Sequence, residues 1–195
     1  LWLQAGSAVI STSNILTNTN NGVFVSGGSA TASDSVIQSN SYRGVEIQGG
    51  AVVTLLRNYI RYNDVGVRSG ADGVPSTSVL RSNTIYGNST NGATDRALGG
   101  MDARGNWWGT NIPVWFGSAP RDLTGTVNIT PWITLKLLPV PATIPAGTGT
   151  STIGIGMHDD AGANVLDLTR VDLTATLGSI GAPGFTSVSR TISGG

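Results

Sequence analysis

The sequence predicts an all-β protein in which a parallel β-solenoid is followed by part of a β-sandwich. Three observations predict it. One short phrase recurs four times at an interval in the low twenties, helix-forming residues are scarce, and the last third of the chain changes to alternating strands separated by turns. Repeats of this length are typical of solenoids, because each repeat forms one turn of the coil.

The repeated phrase is an isoleucine, two variable residues and an asparagine, and a glycine follows three or four residues later. The isoleucines are 22, 23 and 25 residues apart and the glycines 22, 22 and 26, so insertions are confined to the later repeats. The isoleucines are Ile15, Ile37, Ile60 and Ile85, the asparagines Asn18, Asn40, Asn63 and Asn88, and the glycines Gly22, Gly44, Gly66 and Gly92.

A short alternating run follows the first three glycines, which is typical of a β-strand. If each repeat is one turn, equivalent residues stack about 4.8 Å apart in parallel strands. We therefore expect an inward column of Val23, Val45 and Val67. Alternation sends the intervening residues, Phe24, Glu46 and Arg68, to the outside.

The asparagines fall at a corner of each coil, where an amide bonds both the local turn and the amide on the next coil. The alternative is that they are exposed turn residues, but four in register favour an internal ladder. The isoleucines are expected to form another side of the core. The glycine after each asparagine is expected to supply the backbone freedom of a sharp corner.

Composition excludes several classes of protein. The chain has 28 glycines but one glutamate and one lysine, which leaves little from which to build surface helices. No apolar run approaches the roughly 20 residues of a membrane-spanning helix, so no membrane insertion is expected. The 11 basic and 11 acidic residues are interspersed, which argues against nucleic-acid binding. There is no cysteine, so disulfides contribute nothing.

The predicted organisation has three parts. Residues 1–134 form the solenoid, in coils of about 22 residues with an irregular closing coil over 95–134; residues 135–141 form an extended linker, and 142–195 an incomplete sandwich. Strands are expected at 151–157 and 171–177. The chain begins without methionine or a signal peptide, and we expect it to be a piece of a longer protein.

The coils resemble the right-handed, single-stranded parallel β-helix of secreted bacterial proteins, an architecture that pectate lyases share. The resemblance extends to a closing segment, Asn106-Trp107-Trp108-Gly109 followed by residues 125–133 with the sequence GTVNITPWI. It covers most of residues 14–133 and implies the fold. It does not choose a function, since such coils carry enzymes, adhesins and passive stalks.

The second segment resembles the bacterial immunoglobulin-like (Ig-like) domains of invasin-type and intimin-type surface proteins. Matching positions are Asp159, Gly162, Val165, Leu177 and Gly178. The match covers about 55 residues, whereas a complete sandwich takes about 100. An incomplete sandwich has unpaired edges, which invite further chain or a partner.

Few residues suggest catalysis. His158 stands beside Asp159 and Asp160, but a strand end entering a polar turn explains them, and without a second histidine or a cysteine a zinc site is not expected. We predict no catalytic residue, no metal and no cofactor.

The main catalytic alternative is a polysaccharide hydrolase or lyase, which would need clustered acids. The acids of the coils, at positions 34, 46, 64, 72, 95 and 102, are predicted to share no column on adjacent coils.

Three side chains are candidate contacts for a sugar or another partner: Glu46, Arg68 and Arg61. The first two share the outward column, where an exposed ion pair contributes a few tenths of a kcal/mol. Arginines at 43, 57, 61 and 81 are interpreted as solvated, because their offsets differ between coils. Aromatic residues at the end of the solenoid, Trp107, Trp108, Trp115 and Trp132, are interpreted as anchors that close it.

The functional prediction is a non-catalytic structural or adhesive segment of a larger secreted or cell-surface bacterial protein. Expected partners are carbohydrate, other surface proteins or copies of itself. The alternatives are a polysaccharide-active β-helix, a subunit of an extracellular filament or surface layer, and a trimeric phage fibre.

Overall fold

A computed structural model describes residues 1–96, 99–113, 121–140, 152–164, 170–178 and 185–193. Regular structure within these ranges is entirely β. The strands are β1 Trp2–Leu3, β2 Ser7–Ser11, β3 Asn14–Leu16, β4 Val23–Ser26, β5 Ser29–Ser33, β6 Val36–Gln38, β7 Arg43–Gln48, β8 Val52–Leu56, β9 Tyr59–Arg61, β10 Val65–Ser69, β11 Thr77–Arg81, β12 Thr84–Tyr86, β13 Asn91–Asp95, β14 Met101–Asp102, β15 Arg121–Gly125, β16 Val127–Asn128, β17 Ile133–Val140, β18 Thr152–Asp159, β19 Arg170–Gly178 and β20 Phe185–Ser193.

Three parallel sheets run along the solenoid, and each regular coil gives one strand to each sheet. Sheet A has the order β1-β4-β7-β10-β13-β15, sheet B the order β2-β5-β8-β11-β14-β16, and sheet C the order β3-β6-β9-β12. Neighbouring strands within each sheet pair in parallel, one coil apart. The predicted parallel β-solenoid is therefore confirmed.

The core lies between the three sheets and is built from the predicted columns. Val23 pairs with Val45, and Val45 with Val67, and all three are buried. Ile37 and Ile60 on sheet C have no exposed surface. A fully buried aliphatic side chain of this size stabilises the folded state by about 1.5–3 kcal/mol, so these columns supply much of the stability of the coils.

The repeated glycines do not have the predicted role. Gly44 does not have a positive φ. The residue before each asparagine of the repeated phrase does, as at Ser39 and Tyr62, which both have φ 55°. A Cβ on Gly44 would lie 2.6 Å from the carbonyl oxygen of Gly66 and 2.9 Å from Nδ2 of Asn63. The corner is therefore turned before the asparagine, and the glycine is needed because the next coil approaches closely.

The segment after the coils differs from the predicted linker. Strand β17 pairs antiparallel with β18, from Ile133 opposite Asp159 to Val140 opposite Thr152, so residues 135–140 belong to a paired strand. The other two late strands, β19 and β20, also pair antiparallel. Residues 141–151 and 165–169 lie outside the described residues, and the Ig-like sandwich stays a prediction. Among the described residues there is no helix of the length and apolarity needed to cross a bilayer.

Candidate functional site

A charged cluster lies on the outer face of sheet A and contains two of the predicted contact residues. Glu46 on β7 and Arg68 on β10 are register partners, and Arg68 Nε donates to Glu46 Oε1 at 3.0 Å. Gln48 Nε2 donates to the same oxygen at 2.9 Å. Arg43 Nε lies 2.6 Å from Glu46 Oε2. One carboxylate thus lies between two guanidinium groups, and we name these four residues the Glu46 cluster.

Glu46 and Arg43 are buried and Arg68 is partly buried, which corrects the expectation of an exposed ion pair between Glu46 and Arg68. Glu46 is 1% exposed, Arg43 5% and Arg68 16%. The interpretation of Arg43 as a solvated side chain is wrong for the same reason. Buried charges lose their hydration, so the net contribution of this cluster to stability is small or even unfavourable, whereas loss of one partner alone is strongly destabilising.

Hydrogen-bonding capacity in and beside this cluster is unfilled. Glu46 Oε2 and Arg43 Nε are close, but neither has a hydrogen-bond partner of acceptable geometry. Thr94, which pairs with Arg68 in the next coil, also has a buried hydroxyl without a partner. Glu46 Oε2 and Arg43 Nε are still partners in an ion pair, so the Thr94 hydroxyl is the polar group on this face that lacks a partner. An unpaired buried polar group costs about 1–3 kcal/mol, which makes this face a candidate for a polar contact site in the part of the chain that the structure describes.

Arg61 belongs to a separate cluster on sheet C. Its guanidinium carbon lies 4.4 Å from the ring centroid of Tyr59 and 4.7 Å from that of Tyr62. Its Nε donates to Gln38 at 2.9 Å and its Nη1 to the Tyr86 hydroxyl at 3.3 Å. Burial opposes the positive charge, but the hydrogen bond to Tyr86 and the nearby tyrosines raise the pKa of Arg61 above its ordinary value. The structure does not bring Arg61 together with Glu46 and Arg68, since they lie on different sheets.

The six carboxylates that the sequence singled out in the coils are scattered, and each one is held by a partner. Three form ion pairs with an arginine on the next or preceding coil: Asp34 with Arg57, Glu46 with Arg68, and Asp102 with Arg81. The other three, Asp64, Asp72 and Asp95, accept hydrogen bonds from Thr90, from the backbone N–H of Gly49 and from the backbone N–H of Gly100, respectively. Within the described residues no group of three His, Cys, Asp or Glu side chains is placed to hold a metal ion.

The polar side chains of the turn around His158 form hydrogen bonds with nearby backbone groups. His158 Nδ1 lies 3.2 Å from the carbonyl oxygen of Gly162, and Asp159 Oδ1 accepts a hydrogen bond from the N–H of Ala163. Asp160 Oδ1 accepts one from the N–H of Trp132. These contacts shape the turn after β18 and tie it to the solenoid, as expected for a strand end entering a polar turn.

The asparagines of the repeated phrase form a continuous ladder. Nδ2 of Asn18 donates to Oδ1 of Asn40 at 2.7 Å, Asn40 donates to Asn63 at 2.9 Å, and Asn63 to Asn88 at 3.1 Å. The last three are buried and Asn18 is exposed. The amides of the last three also bond a backbone carbonyl of the preceding coil, as Asn63 does with Ile37 at 3.2 Å. Asparagines at the same position of successive coils thus provide hydrogen-bond partners for the backbone groups at the corner.

A second ladder, between sheets B and C, was missed by the sequence analysis. Asn58 donates to Oδ1 of Asn83 through both N–H and Nδ2, and Asn83 donates in the same way to Asn106. Two serines, Ser13 and Ser35, continue this ladder toward the first coil. The signal was present in the sequence, because each of these residues stands two positions before the repeated isoleucine or its replacement, Trp108.

Three tryptophans, Trp107, Trp108 and Trp132, lie at the closing end of the solenoid. Trp108 is 1% exposed and joins the main core, whereas Trp107 packs with Ile133, Leu135 and Met157 in a second apolar cluster. Trp132 is partly buried, and its Nε1 donates to the carbonyl of Asn111 at 3.0 Å. Trp115 lies outside the described residues.

Comparison with known proteins agrees with this geometry. A family model described as right handed beta helix region matches residues 1–102, just over half of the chain. The chain belongs to this family. No curated protein matches the sequence, and no solved structure matches it. Membership shows the fold, and it does not by itself assign an activity.

Proposed function

We propose that this chain is a stiff, non-catalytic segment of a larger secreted or cell-surface bacterial protein, with a structural or adhesive role. Its surface would present contacts for carbohydrate, for other surface proteins or for copies of itself. One observation carries the proposal: all six carboxylates at the positions singled out in the coils are held by arginines, hydroxyls or backbone N–H groups. Side chains bound in this way support the coil.

These contacts would make the solenoid stiff because they run along its axis, from one coil to the next. The ion pairs of Asp34 with Arg57, Glu46 with Arg68 and Asp102 with Arg81 each join adjacent coils. They act in parallel with the two internal ladders, which also join coil to coil. Sliding or bending of one coil on the next would break several of these contacts together, so the solenoid resists deformation. A glycoside hydrolase instead needs two carboxylates about 5–9.5 Å apart that are free to act on a bond.

A second candidate function is binding or cleavage of a polysaccharide at the Glu46 cluster. The observation in its favour is the buried Thr94 hydroxyl beside this cluster, which has no hydrogen-bond partner. A sugar chain carries hydroxyl groups, and one of them would supply the missing partner. In this alternative the outer face of sheet A is the sugar-binding surface.

Activity assays on pectin, alginate and xylan would separate the two candidates. We expect no unsaturated or reducing ends above the level of a heat-inactivated sample. Release of such ends that is lost in Glu46→Gln, but kept in Asp72→Asn, would establish the second candidate and overturn the first. Circular dichroism of both variants controls for loss of the fold.

Binding and mass measurements test the structural proposal directly. A glycan array and sedimentation of the purified chain are the two measurements. Retention on a glycan surface by a monomer would support adhesion. A mass that grows with concentration would support a filament or surface-layer subunit, and a stable trimer would support a fibre.

A further inference from the structure

The outer face of sheet B is a regular grid of side chains. Its four long strands, β2, β5, β8 and β11, each have five residues. They pair residue for residue over their whole length, without a bulge. In each strand the second and fourth residues are less exposed than their neighbours, so the first, third and fifth point outward. Outward side chains therefore recur about 4.8 Å apart from coil to coil and about 6.6 Å apart along each strand.

The central column of this grid contains β-branched side chains only. Val9 is the register partner of Thr31, and Thr31 of Thr54. Val79 continues the column as the partner of Thr54. Val9 is 80% exposed, Thr31 is exposed, and the other two are partly exposed. Valine and threonine have nearly the same shape, and the branch at Cβ restricts rotation about χ1, so the column presents methyl and hydroxyl groups at fixed positions.

The chemistry of the grid excludes several kinds of partner. The two flanking columns carry serine, threonine, valine and leucine side chains. Within this fully described grid the one charged residue is Arg81, which pairs with Asp102. The face therefore offers little charge to a polyelectrolyte. It also has no aromatic ring on which a sugar ring would stack.

The size of the grid argues against a protein partner. Its outermost Cα atoms span roughly 14 by 13 Å, which gives about 350 Å² when the width of the side chains is included. A specific protein interface takes about 800 Å² from each partner. A second copy of the chain would therefore gain too little contact from this face to stay bound to it.

From the spacing, the shape and the low charge together, we propose that the outer face of sheet B binds the surface of ice. Ice is an uncharged lattice in which oxygen atoms recur at separations close to the coil spacing. The hydroxyl groups of Thr31 and Thr54 would take the place of water molecules in that lattice, and the neighbouring methyl groups order the water around them. Because the side chains are rotationally restricted, little conformational entropy is lost on binding.

A crystal lattice also matches the repetition of the grid. Each coil makes the same contacts at the next lattice position, so weak contacts add up over four coils. A small soluble ligand would cover one or two coils only and would gain little from the repetition. This inference goes beyond the structural or adhesive role proposed above and does not depend on it.

Thermal hysteresis tests the proposal on the whole chain. It is the gap between the melting and the freezing temperature of an ice crystal in the protein solution, and it opens when a solute adsorbs to ice. Thr31→Lys places a long, charged side chain at the centre of the grid. Thr19→Lys is the matched control, since Thr19 is also exposed but lies in the corner between β3 and β4. Thr31→Val keeps the branched shape.

The natural sequence and the three variants together decide the inference. We expect a hysteresis gap and faceted ice crystals for the natural sequence, loss of both in Thr31→Lys, and retention of both in Thr19→Lys and Thr31→Val. Circular dichroism of each variant controls for loss of the fold. Round ice crystals without a gap in the natural sequence would overturn the inference, whatever the variants do.

Two further results would also overturn it. Equal loss in the two lysine variants would show that added charge in general, and not this face, is responsible. A dimer in sedimentation that Thr31→Lys dissociates would assign the face to a second copy of the chain.

Discussion

At the corners of this solenoid, asparagine side chains form the hydrogen bonds with backbone groups that water would form at an exposed turn. Where the chain leaves one sheet for the next, backbone N–H and C=O groups of buried coils have no strand partner, and an orphaned group costs about 1–3 kcal/mol. Each ladder amide offers two donors and one acceptor and meets backbone groups on both sides. Asn63, for example, bonds the carbonyls of Ile37 and Arg61 as well as the amide of Asn88.

Replacing Asn63 by alanine should therefore be costly. Asn40 would lose the acceptor of both its N–H and its Nδ2, and the carbonyl of Ile37 would lose a donor. We expect Asn63→Ala to lower the free energy of unfolding by about 3 kcal/mol, measured by urea unfolding. Asn18→Ala is the matched control at the exposed end and should cost less than about 1 kcal/mol. Equal costs at the two positions would show that burial of the ladder contributes nothing.

Two substitutions that involve glycine should change the free energy of unfolding in opposite directions. In Gly44→Ala the new Cβ would approach the carbonyl oxygen of Gly66 to 2.6 Å, and we expect a loss of about 2 kcal/mol from overpacking. Ser82 has φ 54° and occupies the corner where a left-handed conformation is needed. Ser82→Gly should raise stability by about 0.5 kcal/mol, because relief of strain exceeds the added flexibility of the unfolded chain. Thermal unfolding of both variants checks this; a harmless Gly44→Ala would contradict the close-approach explanation.

At the scale of the elements, short parallel strands are stable because each one pairs with the equivalent strands of the neighbouring coils. Strands of three to six residues such as β6 and β7 would not be stable alone, but each is paired on both sides within its sheet. The ion pairs add a second set of contacts across the same strands. Asp102 on β14 accepts two hydrogen bonds of 2.8 Å from Arg104 and also pairs with Arg81 on β11.

The Asp102 contacts predict how stability depends on pH. The hydrogen bonds from Arg104 are the main reason that the pKa of Asp102 lies below its ordinary value; burial opposes this effect and Arg81 adds to it. Because the folded pKa is lower than the unfolded value of about 3.9, the stabilisation is complete above that value and is lost as pH falls through the folded pKa.

Asp102→Asn tests this dependence. We expect the variant to be about 1 kcal/mol less stable than the natural sequence near neutral pH, with the difference shrinking toward zero below about pH 3. The measurement is the urea midpoint over a series of pH values. Asp34→Asn should behave in the same way, since the hydrogen bond from Arg57 lowers the pKa of Asp34. A difference that stays constant with pH would show that the carboxylate charge is not responsible.

At the scale of the whole molecule, the solenoid is a stack in which each coil contacts only its neighbours. Stability in such a stack is graded, and a terminal coil that has one neighbour opens first. Here the closing end is covered by Trp107 and Trp108, and the first coil has its apolar side chains partly exposed. Opening should therefore begin at the first coil.

Hydrogen exchange should show this gradient within one sheet. Amides of β2 are expected to exchange at least tenfold faster than those of β8, which lies two coils further along sheet B. The measurement is exchange followed by mass spectrometry or NMR under native conditions. Equal protection of the two strands would mean that the solenoid opens as a single cooperative unit.

The sequence-based prediction succeeded where one spacing decides many contacts. The inward column of Val23, Val45 and Val67 follows from the register alone, and so do the pairing of Glu46 with Arg68 and the amide contacts of Asn40 with its neighbours. The prediction failed for the burial of Glu46. Alternation places this side chain on the outer face of sheet A, but it does not tell whether the outer face is covered.

What the sequence determined by itself is the periodic part of the protein: the coil length, the parallel stacking of the coils and the inward columns, because a repeat fixes each contact many times over. What only the tertiary structure decided is aperiodic. It includes the number of sheets, the buried Thr94 hydroxyl without a partner, the close approach that requires glycine at position 44 and the pairing of β17 with β18. The physical reason is that these features depend on which surfaces meet in space, and a spacing along the chain does not contain that information.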